Sequence, residues 1–193
     1  MRIIRQIPNA LTISRFFIAA FLVLDAKNGY ASKYFLPLFI FAGFSDFLDG
    51  FIARKMKATT SHGCVLDGYA DIALSVGAFL SAYWLYPAII KKYIWGVVIL
   101  LFLQIASWVF SIIKFSRMTS YHTYSAKIWG IAIFISLGIV FAFSNGSLLL
   151  LMLLVGILSN IDEIVITAVM PYWRGEISNF NMALRLRNEY KRS

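Results

Sequence analysis

Ser45-Asp46-Phe47-Leu48-Asp49-Gly50-Phe51-Ile52-Ala53-Arg54, and after a short polar stretch Gly63-Cys64-Val65-Leu66-Asp67-Gly68-Tyr69-Ala70-Asp71, place four carboxylates in sequence that is otherwise apolar. A charge in such a segment costs about 2.5–3.5 kcal/mol at mid-bilayer, so it points to function before packing. Asp46 and Asp49 are three apart and Asp67 and Asp71 four apart, so each pair shares one face of a helix. The intervening Lys55–His62 is too short for the helices to separate, and they are read as an antiparallel hairpin. The two carboxylate pairs then converge at one end of that hairpin. Four like charges repel unless a cation neutralises them. All-oxygen ligands suit Mg²⁺ or Mn²⁺, and four carboxylates can hold two such ions. Gly50 and Ala53 open space beside Asp49, as Gly63 and Gly68 do on the other arm. Arg54 can pair with phosphate oxygens, so the group as a whole suits a diphosphate.

The rest of the chain supplies the setting. Of its 193 residues 60% are hydrophobic and 14% charged, with a mean hydropathy of +0.76. A soluble domain would be about a quarter charged. The reading is an all-α polytopic membrane protein, a single domain over residues 1–193. A span takes about 20 apolar residues, and six stretches qualify: Pro8–Leu24, Tyr34–Ile52, Leu66–Ile89, Tyr93–Ile113, Ile128–Phe143 and Leu148–Met170. Met1–Gln6 is expected to lie along the interface as a retained N-terminal segment rather than a signal peptide. Tyr172–Ser193 reads as a basic surface helix. The single cysteine, Cys64, excludes an internal disulfide, and His62 and His122 are too few for a His cluster.

Orientation follows from the cations. With six spans both termini share a side, which carries thirteen Lys and Arg residues against four (Lys27, Lys33, Lys91 and Lys92) on the other. The termini and the carboxylate cluster are therefore expected to face the cytoplasm. The net charge of +9 is assigned to that face and to anionic lipid rather than to nucleic acid.

The window resembles the signature of the CDP-alcohol phosphatidyltransferase family: Asp, two residues, Asp-Gly, two residues, Ala-Arg, eight or so residues, Gly, three residues, Asp, three residues, Asp. Asp46, Asp49, Gly50, Ala53, Arg54, Gly63, Asp67 and Asp71 meet every fixed position over 26 residues. Ile7-Pro-Asn-Ala-Leu-Thr-Ile-Ser-Arg15 is similar to the family's Pro-Asn-x-Leu-Thr-x-x-Arg opening, though Thr12 and Arg15 also have ordinary readings as a helix cap and a snorkelling side chain. The resemblance implies a six-helix bundle, a homodimer, and a bacterial or archaeal plasma membrane. It implies transfer of phosphatidyl from CDP-diacylglycerol to a small alcohol acceptor with release of CMP. Asp46, Asp49, Asp67 and Asp71 would ligate two Mg²⁺ or Mn²⁺ ions, Asp71 would also be the general base, and Gly50, Ala53 and Arg54 would contact the cytidine nucleotide.

The acceptor is less legible. In Lys114-Phe-Ser-Arg-Met-Thr-Ser-Tyr-His-Thr-Tyr-Ser-Ala-Lys127, the candidates to hold an acceptor phosphate are Arg117, His122, Ser125 and Lys127. Family members that use phosphorylated acceptors open the fifth helix with a Gly-Lys-x-x-Thr-like stretch, and Ser125-Ala-Lys-Ile-Trp-Gly130 keeps only the Lys. Glycerol 3-phosphate is preferred, with inositol, inositol phosphate or serine as alternatives. A divalent-metal transporter is the alternative from another class, although it would set its carboxylates near mid-bilayer on broken helices. Asp162 and Glu163 are expected near the outer third of the sixth stretch, as an interhelical or dimer contact.

Overall fold

A backbone without water to bond must close its hydrogen bonds within its own segment, which makes helices the expected form of such a chain. The structure, a computed structural model, describes residues 7–55, 61–117, 121, 123–174 and 177–191, with side chains for all of these except 7–9, 46–55 and 61–67. The helices are α1 (Ile7–Ala26), α2 (Phe35–Lys55), α3 (Ser61–Leu85), α4 (Pro87–Lys92), α5 (Ile94–Phe115), α6 (Tyr124–Phe143), α7 (Leu149–Val169) and α8 (Phe180–Tyr190). Among the described residues there is no strand, and α5, α6 and α7 are each long and apolar enough to cross a membrane. Met1–Gln6 and most of the hairpin loop lie outside the described residues.

Each of the six apolar stretches is helical, with one boundary to correct. The third was expected to reach Ile89, but α3 ends at Leu85 and α4 begins at Pro87. Proline has no N–H and keeps the residue before it out of the helical region. Tyr86 serves both helices. Its N–H bonds Ala82 O at 2.9 Å, and its carbonyl accepts from Ile89 and Ile90 at 3.1 and 3.2 Å.

The chain divides into two compact units. The first takes in residues 1–92 and 137–146. In it α1 packs against α2 and α3. The α1–α3 seam is built from small residues: a Cβ at Gly77 would meet Ala19 O at 3.1 Å, and Ala19, Ala70, Ala78 and Ala82 are buried. Small side chains let helix backbones approach where lipid offers no hydrophobic drive. Phe141 receives Phe35 and Phe39 edge-on, at ring-centroid distances of 4.8 and 5.0 Å.

The second unit takes in residues 93–136 and 147–193. Here α7 packs against α5 and α8. Gly96 and Gly156 lie against Leu153 and Leu100, so α5 and α7 run in the same direction. Helix α8 is capped by Asn179, whose side chain accepts from Met182 N at 3.0 Å. It lays Ala183 and Leu186 onto a buried cluster with Tyr121, Ile166, Met170 and Ile177, and leaves Arg185 and Arg187 exposed. The surface helix expected in the tail is thus a short amphipathic one docked on α7.

Candidate active site

The four aspartates belong to the first unit. Asp46 and Asp49 lie in the second half of α2 and Asp67 and Asp71 in the first half of α3, so the backbone sets each pair on one helix face on either side of the hairpin connection. Gly50, Ala53 and Arg54 lie in the last two turns of α2, and Gly63 lies in the first turn of α3. Of these residues only Asp71 is among those with described side chains.

Asp71 is joined to α1. Arg15 Nη1 donates to Asp71 Oδ1, and Arg15 Nη2 lies 3.4 Å from Thr12 Oγ1. The Arg15 side chain is fully buried, while 46% of the Asp71 side chain is exposed. This corrects the snorkelling reading of Arg15. A guanidinium that reached for the interface would keep its head in water, whereas this one is enclosed and ion-paired. The contacts Arg15–Asp71 and Ala19–Gly77 show that α1 and α3 run in the same direction, with the close seam beside the ion pair. Gly68, on the Asp71 face of α3, has nothing within 4 Å of where a Cβ would stand, so that part of the helix face is open among the described residues. All-carboxylate donors, one of them half-exposed beside such space, fit hard divalent cations. Among the described residues no three His, Cys, Asp or Glu side chains come together.

The second unit holds the acceptor candidates. Arg117 is exposed and stacks on Trp173, 5.1 Å from its ring centroid, and Lys127 lies 5.5 Å over the Tyr124 ring. Ser125 is already engaged: its hydroxyl donates to Asp162 Oδ2 at 2.6 Å and lies 2.9 Å from Thr123 Oγ1. Thr123 caps α6 by accepting from Ala126 N at 3.1 Å. His122 lies outside the described residues. Tyr121 is buried, which pushes its phenol above the usual range, while a hydrogen bond from the Thr167 hydroxyl works the other way.

Asp162 and Glu163 lie in the second half of α7, the half that the expected six spans with cytoplasmic termini assign to the inner rather than the outer side. Glu163 accepts from Ser107 Oγ at 3.0 Å, and Lys114 Nζ donates to Thr167 O and Ala168 O at 2.9 and 2.8 Å. All of these belong to the end of α5 and α7 that meets the 116–123 loop, the side to which the cation count assigns the cytoplasm. The contacts of Asp162 and Glu163 are interhelical, as expected.

The profile of the family described as CDP-alcohol phosphatidyltransferase matches residues 5–172. The chain is similar to a protein of Rickettsia felis named CDP-diacylglycerol--glycerol-3-phosphate 3-phosphatidyltransferase, 41% identical over 73 residues, which are 37% of this chain and 40% of that protein. Proteins bearing the same name in Haemophilus influenzae and Aquifex aeolicus are 40% and 35% identical over 77 residues, 39% of this chain and 42% of each relative. The matches thus span about two fifths of the curated relatives' length. No solved structure matches. The family match runs from the start of α1 through α7 and takes in Arg15 and all four aspartates, and on that extent the chain belongs to the CDP-alcohol phosphatidyltransferase family.

Proposed function

We propose that this chain transfers the phosphatidyl group of CDP-diacylglycerol to the hydroxyl of glycerol 3-phosphate and releases CMP. The observation that carries the reading is the complete eight-position signature across α2 and α3, inside the residues matched by the family. The names of the relatives favour glycerol 3-phosphate. In this reading the chain is one membrane domain of six spans, works as a homodimer in a bacterial or archaeal plasma membrane, and faces its site to the cytoplasm.

Asp46, Asp49, Asp67 and Asp71 would hold the Mg²⁺ or Mn²⁺ ions, which when bound offset the diphosphate charge and ease departure of CMP. The acceptor oxygen attacks the lipid-side phosphorus and its proton passes to Asp71. The new phosphorus–oxygen bond forms as the bond to CMP breaks, and CMP leaves with that electron pair. Nucleophile and leaving oxygen must stand in line, so positioning carries much of the rate. Gly50 and Ala53 leave room for the cytidine nucleotide and Arg54 pairs with its phosphates. Arg117 and Lys127 are the candidates for the acceptor phosphate.

A second acceptor stays in the test because Ser125-Ala-Lys127 departs from the pattern for phosphorylated acceptors and Ser125 is bonded to Asp162. Isotope-labelled glycerol 3-phosphate, inositol, inositol phosphate and serine are supplied singly with CDP-diacylglycerol and Mn²⁺, and lipid-extractable label is counted. Label from glycerol 3-phosphate alone is expected. Label from another acceptor would reassign the substrate within the same reaction.

A further inference from the structure

Arg15 is a fully buried cation within an apolar helix, which is expensive unless its charge is paired and its donors are bonded. Among the described residues its guanidinium meets two groups: Nη1 donates to Asp71 Oδ1, and Nη2 lies 3.4 Å from the hydroxyl of Thr12, one turn earlier on α1. The Ala19–Gly77 approach, 3.1 Å from Ala19 O to a Cβ at Gly77, shows that the backbones of the two helices come close beside it. Asp71 meanwhile remains 46% exposed.

We propose that Arg15 is a positioning residue for Asp71: its guanidinium holds one carboxylate oxygen and thereby aims the other at the divalent cation and the acceptor hydroxyl. The inference rests on the functional reading above and deepens it. Thr12 completes the device by fixing the guanidinium plane. Lysine could supply the charge, but it is a point donor without the planar fork that reaches Thr12 and Asp71 together.

The test combines Mn²⁺ binding to the detergent-solubilised full chain, followed by electron paramagnetic resonance, with steady-state CMP release. It uses Arg15→Met, Arg15→Lys and Thr12→Val, each alone and with Asp71→Asn. Partners that orient a metal ligand typically change metal affinity or activity by about 10–100-fold when removed. Arg15→Met is therefore expected to weaken Mn²⁺ binding by about 10–100-fold and to lower kcat, with KM for CDP-diacylglycerol held within about threefold. Arg15→Lys restores part of the loss, and Thr12→Val loses less than Arg15→Met. In the Asp71→Asn background the Arg15 and Thr12 changes are expected to lose less than in the wild-type background, because the effect proposed here passes through that carboxylate. Unchanged Mn²⁺ affinity in Arg15→Met, or an equal further loss in the Asp71→Asn background, overturns the inference. If Arg15→Met does not fold, Arg15→Lys and Thr12→Val keep the buried charge and decide by the same criteria. A wild-type chain that binds no Mn²⁺ and releases no CMP overturns the functional reading and this inference with it. Wild-type binding and release with indifferent variants overturn this inference alone.

Discussion

Asp71 sits where three demands meet: it shares a helix face with Asp67, it is bound by Arg15 from α1, and half of it is open beside Gly68. Converting it to Asn keeps the shape and removes both the charge and the proton acceptor. Asp71→Asn is expected to lower CMP release by about 10²–10⁴-fold, the usual contribution of a positioned general base, with helical content and membrane insertion unchanged. Wild-type turnover in that variant would remove Asp71 from the chemistry. Lys127→Ala is expected to raise KM for a phosphorylated acceptor about tenfold and leave KM for CDP-diacylglycerol unchanged, the pattern of lost ground-state binding. An unaltered acceptor KM would make Lys127 an anchor at the inner leaflet. At this scale the carboxylates were legible because charge in an apolar run has few ordinary explanations. Arg15 was not, because a cation in a membrane helix has a common one, and its partner lies 56 residues away in the chain.

Elements meet at residues whose size or charge leaves little choice. A Cβ at Gly156 would stand 2.5 Å from both Leu100 Cδ1 and Trp129 Nε1, whereas one at Gly130 would meet nothing within 4 Å. Gly156→Ala is expected to cost about 1–3 kcal/mol through overpacking, and Gly130→Ala to stay within about 0.5 kcal/mol of wild type. Thermal unfolding in detergent distinguishes them, and equal midpoints would contradict the packing described for α5, α6 and α7. Lys114 donates to the last carbonyls of α7, where a cation also suits the helix dipole. Lys114→Met is expected to cost about 1 kcal/mol in the same measurement. The elements themselves were largely readable, because runs of about 20 apolar residues separated by short polar loops admit few other forms. The break at Tyr86 was passed over because the stretch stays apolar through Pro87 to Ile90, and only the proline marks it. The side on which Asp162 and Glu163 fall depends on the direction of α7, which local pattern does not carry.

The whole molecule joins these parts through topology. Thirteen cations against four predict cytoplasmic termini, a prediction open to thiol labelling. In a chain with Cys64 replaced by Ser, a membrane-impermeant maleimide is expected to label Asn28→Cys and Asn145→Cys from outside intact cells, and Asn188→Cys only after permeabilisation. The reverse pattern would invert the orientation. The family was legible in 26 residues, whereas the acceptor was not, since cations placed like Arg117 and Lys127 are also ordinary inner-leaflet anchors. The central claim is the metal-dependent transfer itself, and CMP release by the purified chain in lipid tests it most directly. With CDP-diacylglycerol, glycerol 3-phosphate and Mn²⁺, CMP is expected to appear, to stop when EDTA is added and to return with fresh Mn²⁺. Absence of CMP with every acceptor, from folded protein that does not bind CDP-diacylglycerol, would contradict it.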